Sequence, residues 1–351
     1  MDKQTKIAVF FGGKISQHLV LIRGAAKKLN VRLDLVSYNR VCFDTEELKV
    51  KIRGDLNIEG RPQGIARTVK NEGWLDINDY DVLFFRTTGK HWEEVDLIIN
   101  QLRVNSYELT NKPVVVDPIV LSGKPSMACK AYQMLALKKA GIEVPKTVYG
   151  SLWYLYECMA ASQSVFADAH TNASRVMAAL PKNTSAQPFN FPVIIKGSGG
   201  DRGTRVYKAD NLKDLEKLVR DLRKSETEEG KRYMLQEYIP NKGDYRVLVL
   251  GKKVLGVMKR SSQKNGEFRN NYSAGGKVEV ADLPEEIKQL AVRAAEVCGL
   301  MVAGVDVAFR DNDFKKPVIW EVNKGPQFKG FMKATGIDVP QEIVKFLVKL
   351  A

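Results

Sequence analysis

A chain of 351 residues, 44% hydrophobic and 27% charged, has the make-up of a soluble globular protein and predicts two or three compact units. No run of 18 apolar residues offers a membrane span, and the opening MDKQTKIAVFFGGK is too polar for a secretory signal, so a cytoplasmic protein is expected. The formal charge of +14 favours anionic partners such as an acidic polypeptide, nucleic acid or a phosphate-rich substrate. A solvated lysine-rich surface explains it equally well, because no basic run is interleaved with aromatics.

The first elements alternate. An apolar run, residues 6–12, ends in Gly12-Gly13 and is followed by a helix expected over Gln17 to Asn30. Short strands are expected at Leu33–Val36, Val82–Phe85 and Pro113–Val116, with helical spacing over Glu93–Leu102 between the last two. Such alternation implies a small parallel sheet covered by helices, in a first domain of about residues 1–120. The Gly12-Gly13 turn lacks the GxGxxG spacing of a dinucleotide site and reads first as a tight turn.

A second domain is expected over about 121–240. Residues 125–140 look helical, with Pro125 early and Gly141 as a stop. Residues 151–190, rich in Ala and Ser, read as helix and loop inserted into this domain. From Phe191 β-type runs dominate: PVIIK, RVYK, YMLQEYI, YRVLVLG and KKVLGVMKR. Helices near 211–223 and 284–299 interrupt them before VAGVDVAF and PVIWEVN, and a helix over 340–350 closes the chain. Antiparallel-looking strands with helices on one side suggest α+β architecture, with a third domain over about 241–351.

Four segments carry candidate chemistry. In residues 192–206 a strand delivers Lys196 into a loop with Gly197, Gly199, Gly200 and Gly203, whose backbone N–H groups can approach phosphate oxygens. It is not a Walker A loop, and a plain glycine-rich hairpin with an exposed lysine is the blander reading. In YMLQEYIPNKGDYRV, Glu237 and Tyr238 end a strand suited to an adenine edge, and Asp244 can reach a ribose hydroxyl. In residues 259–276, Arg260, Arg269 and Asn271 with Gly275-Gly276 form either a basic surface loop or a clamp on polyphosphate. Finally, strand periodicity places Glu321 and Asn323 on one face, and Asp306 interrupts a segment that otherwise wants burial. Oxygen donors of this kind suit Mg²⁺, or Mn²⁺, with phosphate oxygens.

Taken in order, Lys130 on a helix, Lys196 and its glycine loop, QEYI, FRNN and D…E-x-N resemble the ATP-grasp superfamily. The branch they are most similar to is the RimK-like glutamate ligases. The resemblance is good over 80–351 and loose before it. It implies an ATP-grasp fold of mixed α/β and α+β class behind an N-terminal α/β domain. It also implies ATP-dependent joining of a carboxylate to an amine through an acyl phosphate. By resemblance Lys130, Lys196, Gly200 and Gly203 meet the ATP phosphates, Glu237 and Tyr238 form the adenine hinge, and Asp244 and Asn271 contact the nucleotide. Arg269 or Arg260 would stabilise the tetrahedral oxyanion, and Asp306, Glu321 and Asn323 would hold magnesium.

The expected partners are carboxylate and amine substrates, an acidic peptide or protein acceptor among them, and a homo-oligomer; nucleic acid ranks behind these. Where relatives continue close to ASPG, this chain has Lys324-Gly325-Pro326-Gln327, a departure placed where an acceptor would bind. A small-molecule kinase and a non-catalytic nucleotide binder are the other two readings. The scattered Cys42, Cys129, Cys158 and Cys298 read as reduced, isolated residues, and the histidines fall outside every motif.

Overall fold

The computed structural model describes residues 4–44, 46, 49–53, 74–104, 113–123, 129–164, 189–199, 205–262 and 276–351. Two compact units emerge, each assembled from separated stretches of chain. The larger joins Met1–Met127, Gly243–Asp306 and Val322–Ala351, and the smaller joins Ala128–Lys242 and Val307–Glu321.

The larger unit begins with strand β1 (Lys6–Phe11), helix α1 (Gln17–Lys28) and strand β2 (Arg32–Ser37). Ser16 starts α1 by accepting the Leu19 N–H, and the helix buries Leu19, Ile22, Ala25 and Ala26, an i, i+3, i+4 stripe. Strands β3 (Val41–Asp44), β4 (Lys49–Arg53) and β5 (Trp74–Leu75) form a small antiparallel sheet that the alternation in the sequence does not announce. Strand β6 (Val82–Phe85), helix α2 (Trp92–Val104) and strand β7 (Val114–Val116) complete the first layer. The main sheet runs β2-β1-β6-β7 with every pairing parallel, as expected, and β1 and β6 are buried almost throughout.

Further along, strands β12 (Asp244–Leu250), β13 (Lys253–Ser261) and β14 (Lys277–Ala281) form an antiparallel meander, and helix α6 (Glu285–Val297) packs on β12 and β13. Strand β15 (Val302–Phe309) lies beside β12, and β16 (Pro317–Lys324) beside β15. Both cross the unit boundary, after Asp306 and after Glu321 respectively. Helices α7 (Lys329–Thr335) and α8 (Val339–Val348) end the chain. One continuous core holds Ile7, Val9, Ile22 and Val82 together with Leu248, Phe328, Phe331, Ile343 and Leu347.

The smaller unit starts with helix α3 (Lys130–Lys139), strand β8 (Thr147–Gly150) and helix α4 (Leu152–Ser164). Strands β9 (Val193–Gly197) and β10 (Val206–Ala209), helix α5 (Leu212–Thr227) and strand β11 (Tyr233–Glu237) follow. The sheet runs β10-β9-β11-β8, wholly antiparallel. Alternation in β9 turns Val193 and Ile195 into a core shared with Leu155, Met159, Leu215, Val219 and Leu235. Of the expected insertion, residues 165–188 lie outside the described residues.

Candidate functional site

The period of β9 that buries Ile195 sends Lys196 to the opposite face. Its Nζ lies 3.2 Å from Glu321 Oε2, and Lys130 Nζ lies 3.2 Å from Glu321 Oε1. Each lysine side chain is only 12% exposed and the glutamate 21%, so the triplet is largely shielded from water. Lys130 reaches this point because the start of α3 is fastened to the end of β9. The Lys130 N–H donates to Ser198 O at 3.1 Å, and Cys129 Sγ meets Ser198 Oγ at 3.3 Å. The Gly197 N–H donates to Arg205 O at 2.8 Å, which closes the base of the glycine loop. Gly200 and Gly203 of that loop lie outside the described residues, as do Arg269 and Asn271.

A glutamate held by two lysines is a cationic cradle with an internal counter-ion. A phosphate group offers those lysines the same charge and better hydrogen-bond geometry. Also in the smaller unit, Glu237 at the end of β11 accepts both arms of Arg310, at 3.1 and 2.5 Å, and the Lys146 N–H at 2.7 Å. Burial pushes its pKa up, but Arg310 and the Lys146 N–H outweigh that and hold it below the ordinary value. The Glu237 side chain is therefore a strut between strands, and what this segment can offer a planar ring is its backbone and Tyr238. Lys208 Nζ sits 5.0 Å from the centre of the Tyr238 ring.

In the larger unit the β12/β13 register sets Asp244 directly opposite Arg260. Arg260 Nε donates to Asp244 Oδ1 at 3.0 Å, its Nη2 bonds Asp244 Oδ2, and the same Nη2 lies 3.0 Å from Asp306 Oδ2. Arg246, two residues along β12, grips Asp306 through Nε at 2.7 Å and Nη2 at 2.8 Å. Asn323 Nδ2 donates to Asp306 Oδ2 at 3.1 Å and to Gly304 O at 3.3 Å. Asp244, Arg260 and Asp306 are 2%, 3% and 6% exposed, so two acids and two arginines neutralise one another inside the protein. Burial raises the pKa of Asp244. Burial lowers that of Arg260, but the two carboxylates overcome this and raise it.

The geometry bears on three sequence readings. Lys259 and Arg260, which open the basic segment 259–276, lie near the end of strand β13, where the run KKVLGVMKR already implied a strand. Asp244 and Arg260, read as a ribose contact and an oxyanion donor, sit opposite each other on paired strands and satisfy each other's charge. Asp306 is explained by ion pairing as well as by metal. Arg246 and Arg310 were missed. The alternation Asp244-x-Arg246 in an otherwise apolar strand was the available signal for the first, and nothing in the sequence pairs Arg310 with Glu237.

The family is shown by comparison. The RimK-like ATP-grasp domain is matched over residues 161–347, more than half of the chain, and the chain belongs to that family. A relative from Syntrophotalea carbinolica, named probable alpha-L-glutamate ligase, is 38% identical over 170 residues, 48% of this chain and 54% of the relative. Probable alpha-L-glutamate ligase 1 of Shewanella frigidimarina is 38% identical over 160 residues, 45% of this chain and 50% of the relative. The chain thus spans about half the length of the curated relatives it matches.

Solved structures extend the likeness to the whole chain at the level of fold. The ATP-grasp ligase PsnB complexed with minimal precursor superposes with a TM-score of 0.61 at 16% identity, over 99% of this chain and 100% of the other. The D-alanine–D-alanine ligase of Bacillus anthracis does so with a TM-score of 0.57 at 15% identity, over 99% and 97%. The chain has the ATP-grasp fold, in agreement with the sequence reading. Among the described residues no helix is long and apolar enough to cross a membrane.

Proposed function

We propose that the protein is an ATP- and magnesium-dependent carboxylate–amine ligase that forms an amide through an acyl phosphate, adding an amino acid such as glutamate to a peptide or protein acceptor. The observation that carries this reading is the convergence of Lys130 and Lys196 on Glu321 in the smaller unit. Glutamate-ligase names among the relatives and ATP-grasp ligases complexed with precursor peptides among the structural neighbours support it. The surplus of +14 supports an acidic acceptor, and the isolated cysteines support a cytoplasmic setting.

The donors fit magnesium. Among the described residues no three carboxylate, imidazole or thiolate groups gather into a metal site of their own. Magnesium seldom uses such a cage; it takes one or two carboxylates, water and substrate phosphates. By resemblance the carboxylates of Asp306 and Glu321 and the amide oxygen of Asn323 are the proposed ligands of the ion. The bound ion would neutralise phosphate charge during transfer. Lys130 and Lys196 orient the phosphates and offset charge on the transferred group. Arg246, Arg260 and Asn323 all contact Asp306 and are proposed to hold it in place. Arg269, Asn271, Gly200 and Gly203 keep their assignments as proposals, and Tyr238 is proposed as the adenine platform.

The deciding experiment is magnesium-dependent ADP release by the purified protein with pooled carboxylates and amines. Turnover should require both an acid and an amine and vanish in Lys196→Ala and Glu321→Ala. Turnover that needs no amine and yields a stable phosphorylated acid would replace the ligase with a kinase.

A further inference from the structure

The Gly12-Gly13 turn plays no part in the function just proposed, yet its surroundings are built like a binding crevice. In the order β2-β1-β6-β7 the chain leaves β1 for β2 on one side and returns to β6 on the other. Open α/β sheets take ligands outside the carboxyl ends of their strands at such a switch point. Here β1 runs into Gly12-Gly13 and β6 into Arg86-Thr87. The Gly12 N–H donates to Thr87 Oγ1 at 2.8 Å, and a methyl on Gly12 would overlap the His91 ring. Thr87, although β-branched, is held left-handed at φ 50°, a cost that proteins tend to carry at functional positions.

Charge is what gives the crevice a ligand. Arg86 is 5% exposed. Its Nη2 donates to Gly325 O at 3.0 Å and Pro326 O at 3.4 Å, while its Nη1 is buried without a hydrogen-bond partner among the described residues. Lys324 donates to Phe85 O, and its Nζ lies 3.8 Å from Asp117 Oδ2. Asp117 in turn accepts the N–H groups of Met301 and Val302, at 2.7 and 3.0 Å. Two buried cations thus share one buried anion. Burial accordingly lowers the pKa of Arg86 to about 10 despite Asp117. Lys14 and Lys90 add exposed positive charge on the loops that follow β1 and β6, and Glu94, 3.3 Å from His91 Nδ1, adds a negative one. A water on Nη1 would satisfy the hydrogen bond and leave the charge uncompensated. The surplus of one charge matches a carboxylate, and the turn lacks the glycine spacing for a pyrophosphate.

We propose that this crevice binds a carboxylate group of the substrate, with Arg86 as its buried anchor and the Gly12-Gly13 turn and Thr87 as its wall. The proposal rests on the ligase reading for the identity of the ligand, and it gives a use to Lys324-Gly325-Pro326, the residues that follow Asn323.

Glutarate and triglutamate are suitable probes, titrated by calorimetry into the full chain, Arg86→Lys and Arg86→Met. The Arg86 Nε–Hε signal would be followed by NMR in ¹⁵N-arginine-labelled protein and assigned by its loss in Arg86→Lys. A saturable shift of that signal is expected, with affinity falling about 10- to 100-fold in Arg86→Met and partly recovering in Arg86→Lys. Binding unchanged in Arg86→Met, or no movement of the Arg86 signal with either probe, would overturn the proposal and leave Arg86 a water-bridged strut. ADP binding measured on the same samples separates the two claims. Loss of ADP binding by the parent protein sinks the ligase reading, whereas ADP binding without Arg86-dependent carboxylate binding sinks the crevice alone.

Discussion

Glu321 occupies the two lysines proposed to hold phosphate, so on that proposal removing its charge should tighten the grip on a nucleotide that brings no metal. Each lysine nitrogen lies 3.2 Å from a Glu321 oxygen. At an effective dielectric of about 20 such a contact carries roughly 5 kcal/mol before desolvation. Desolvation of partly buried charges cancels most of this and leaves about 1–2 kcal/mol per pair. ADP in EDTA must displace Glu321 from at least one lysine, and Glu321→Gln removes that competition. The dissociation constant for metal-free ADP should therefore fall about 5- to 30-fold in Glu321→Gln. With magnesium the gain should disappear, because the same substitution deletes a proposed metal ligand, and turnover should drop at least about 100-fold. Calorimetric titration of ADP into parent and variant, in EDTA and in magnesium, checks both halves. Weaker binding by Glu321→Gln in EDTA would refute the idea that carboxylate and phosphate compete for the same lysines.

Other parts of the structure make separate predictions. Asp244→Asn leaves Arg246 and Arg260 to share the single carboxylate of Asp306 inside the protein and should cost about 3–5 kcal/mol in urea unfolding; Asp244→Asn combined with Arg260→Met should recover part of that loss. Leu235→Ala, fully buried in the core of the smaller unit, should cost about 2–5 kcal/mol in the same assay, and a loss below about 1 kcal/mol would mean that core is loosely packed. Arg310→Ala should reduce stability at neutral pH through Glu237, whose folded pKa lies below its ordinary 4.5. That contribution is present above the unfolded pKa and is lost as pH falls through the folded one, so parent and variant should converge in acid. Divergence on acidification would contradict the assignment.

What the sequence made legible was whatever repeats with a period. Strands β1, β6, β9 and β15, helices α1, α5 and α8, and the parallel character of the first sheet follow from alternation, apolar runs and stop signals. The β3–β4–β5 sheet escaped because its strands, such as VCFD and KVKIR, are short and charged and pair across intervening chain with no shared signature. The same distinction runs through the site. Lys196 and Glu321 were visible as polar residues punctuating apolar strands. That Glu321 would take both lysines, or that Asp244 would face Arg260, depends on strand order and register, which no local pattern encodes. Motif order identified the family because it records many such long-range choices at once.

The core that joins Ile7, Leu19 and Ile22 to Phe331, Ile343 and Leu347 has a consequence for the birth of the chain. The sheet of β1, β2, β6 and β7 and helix α1 are synthesised well before Phe328 to Leu347, the residues that seal one of their faces. At typical synthesis rates of about 5–20 residues per second, the stretch from 128 to 351 keeps that face unsealed for roughly 10–45 s. Throughout that interval β1 and α1 present apolar surface to water. A nascent chain of this design invites chaperone attention at β1 and α1, and loss of α8 would be felt there first.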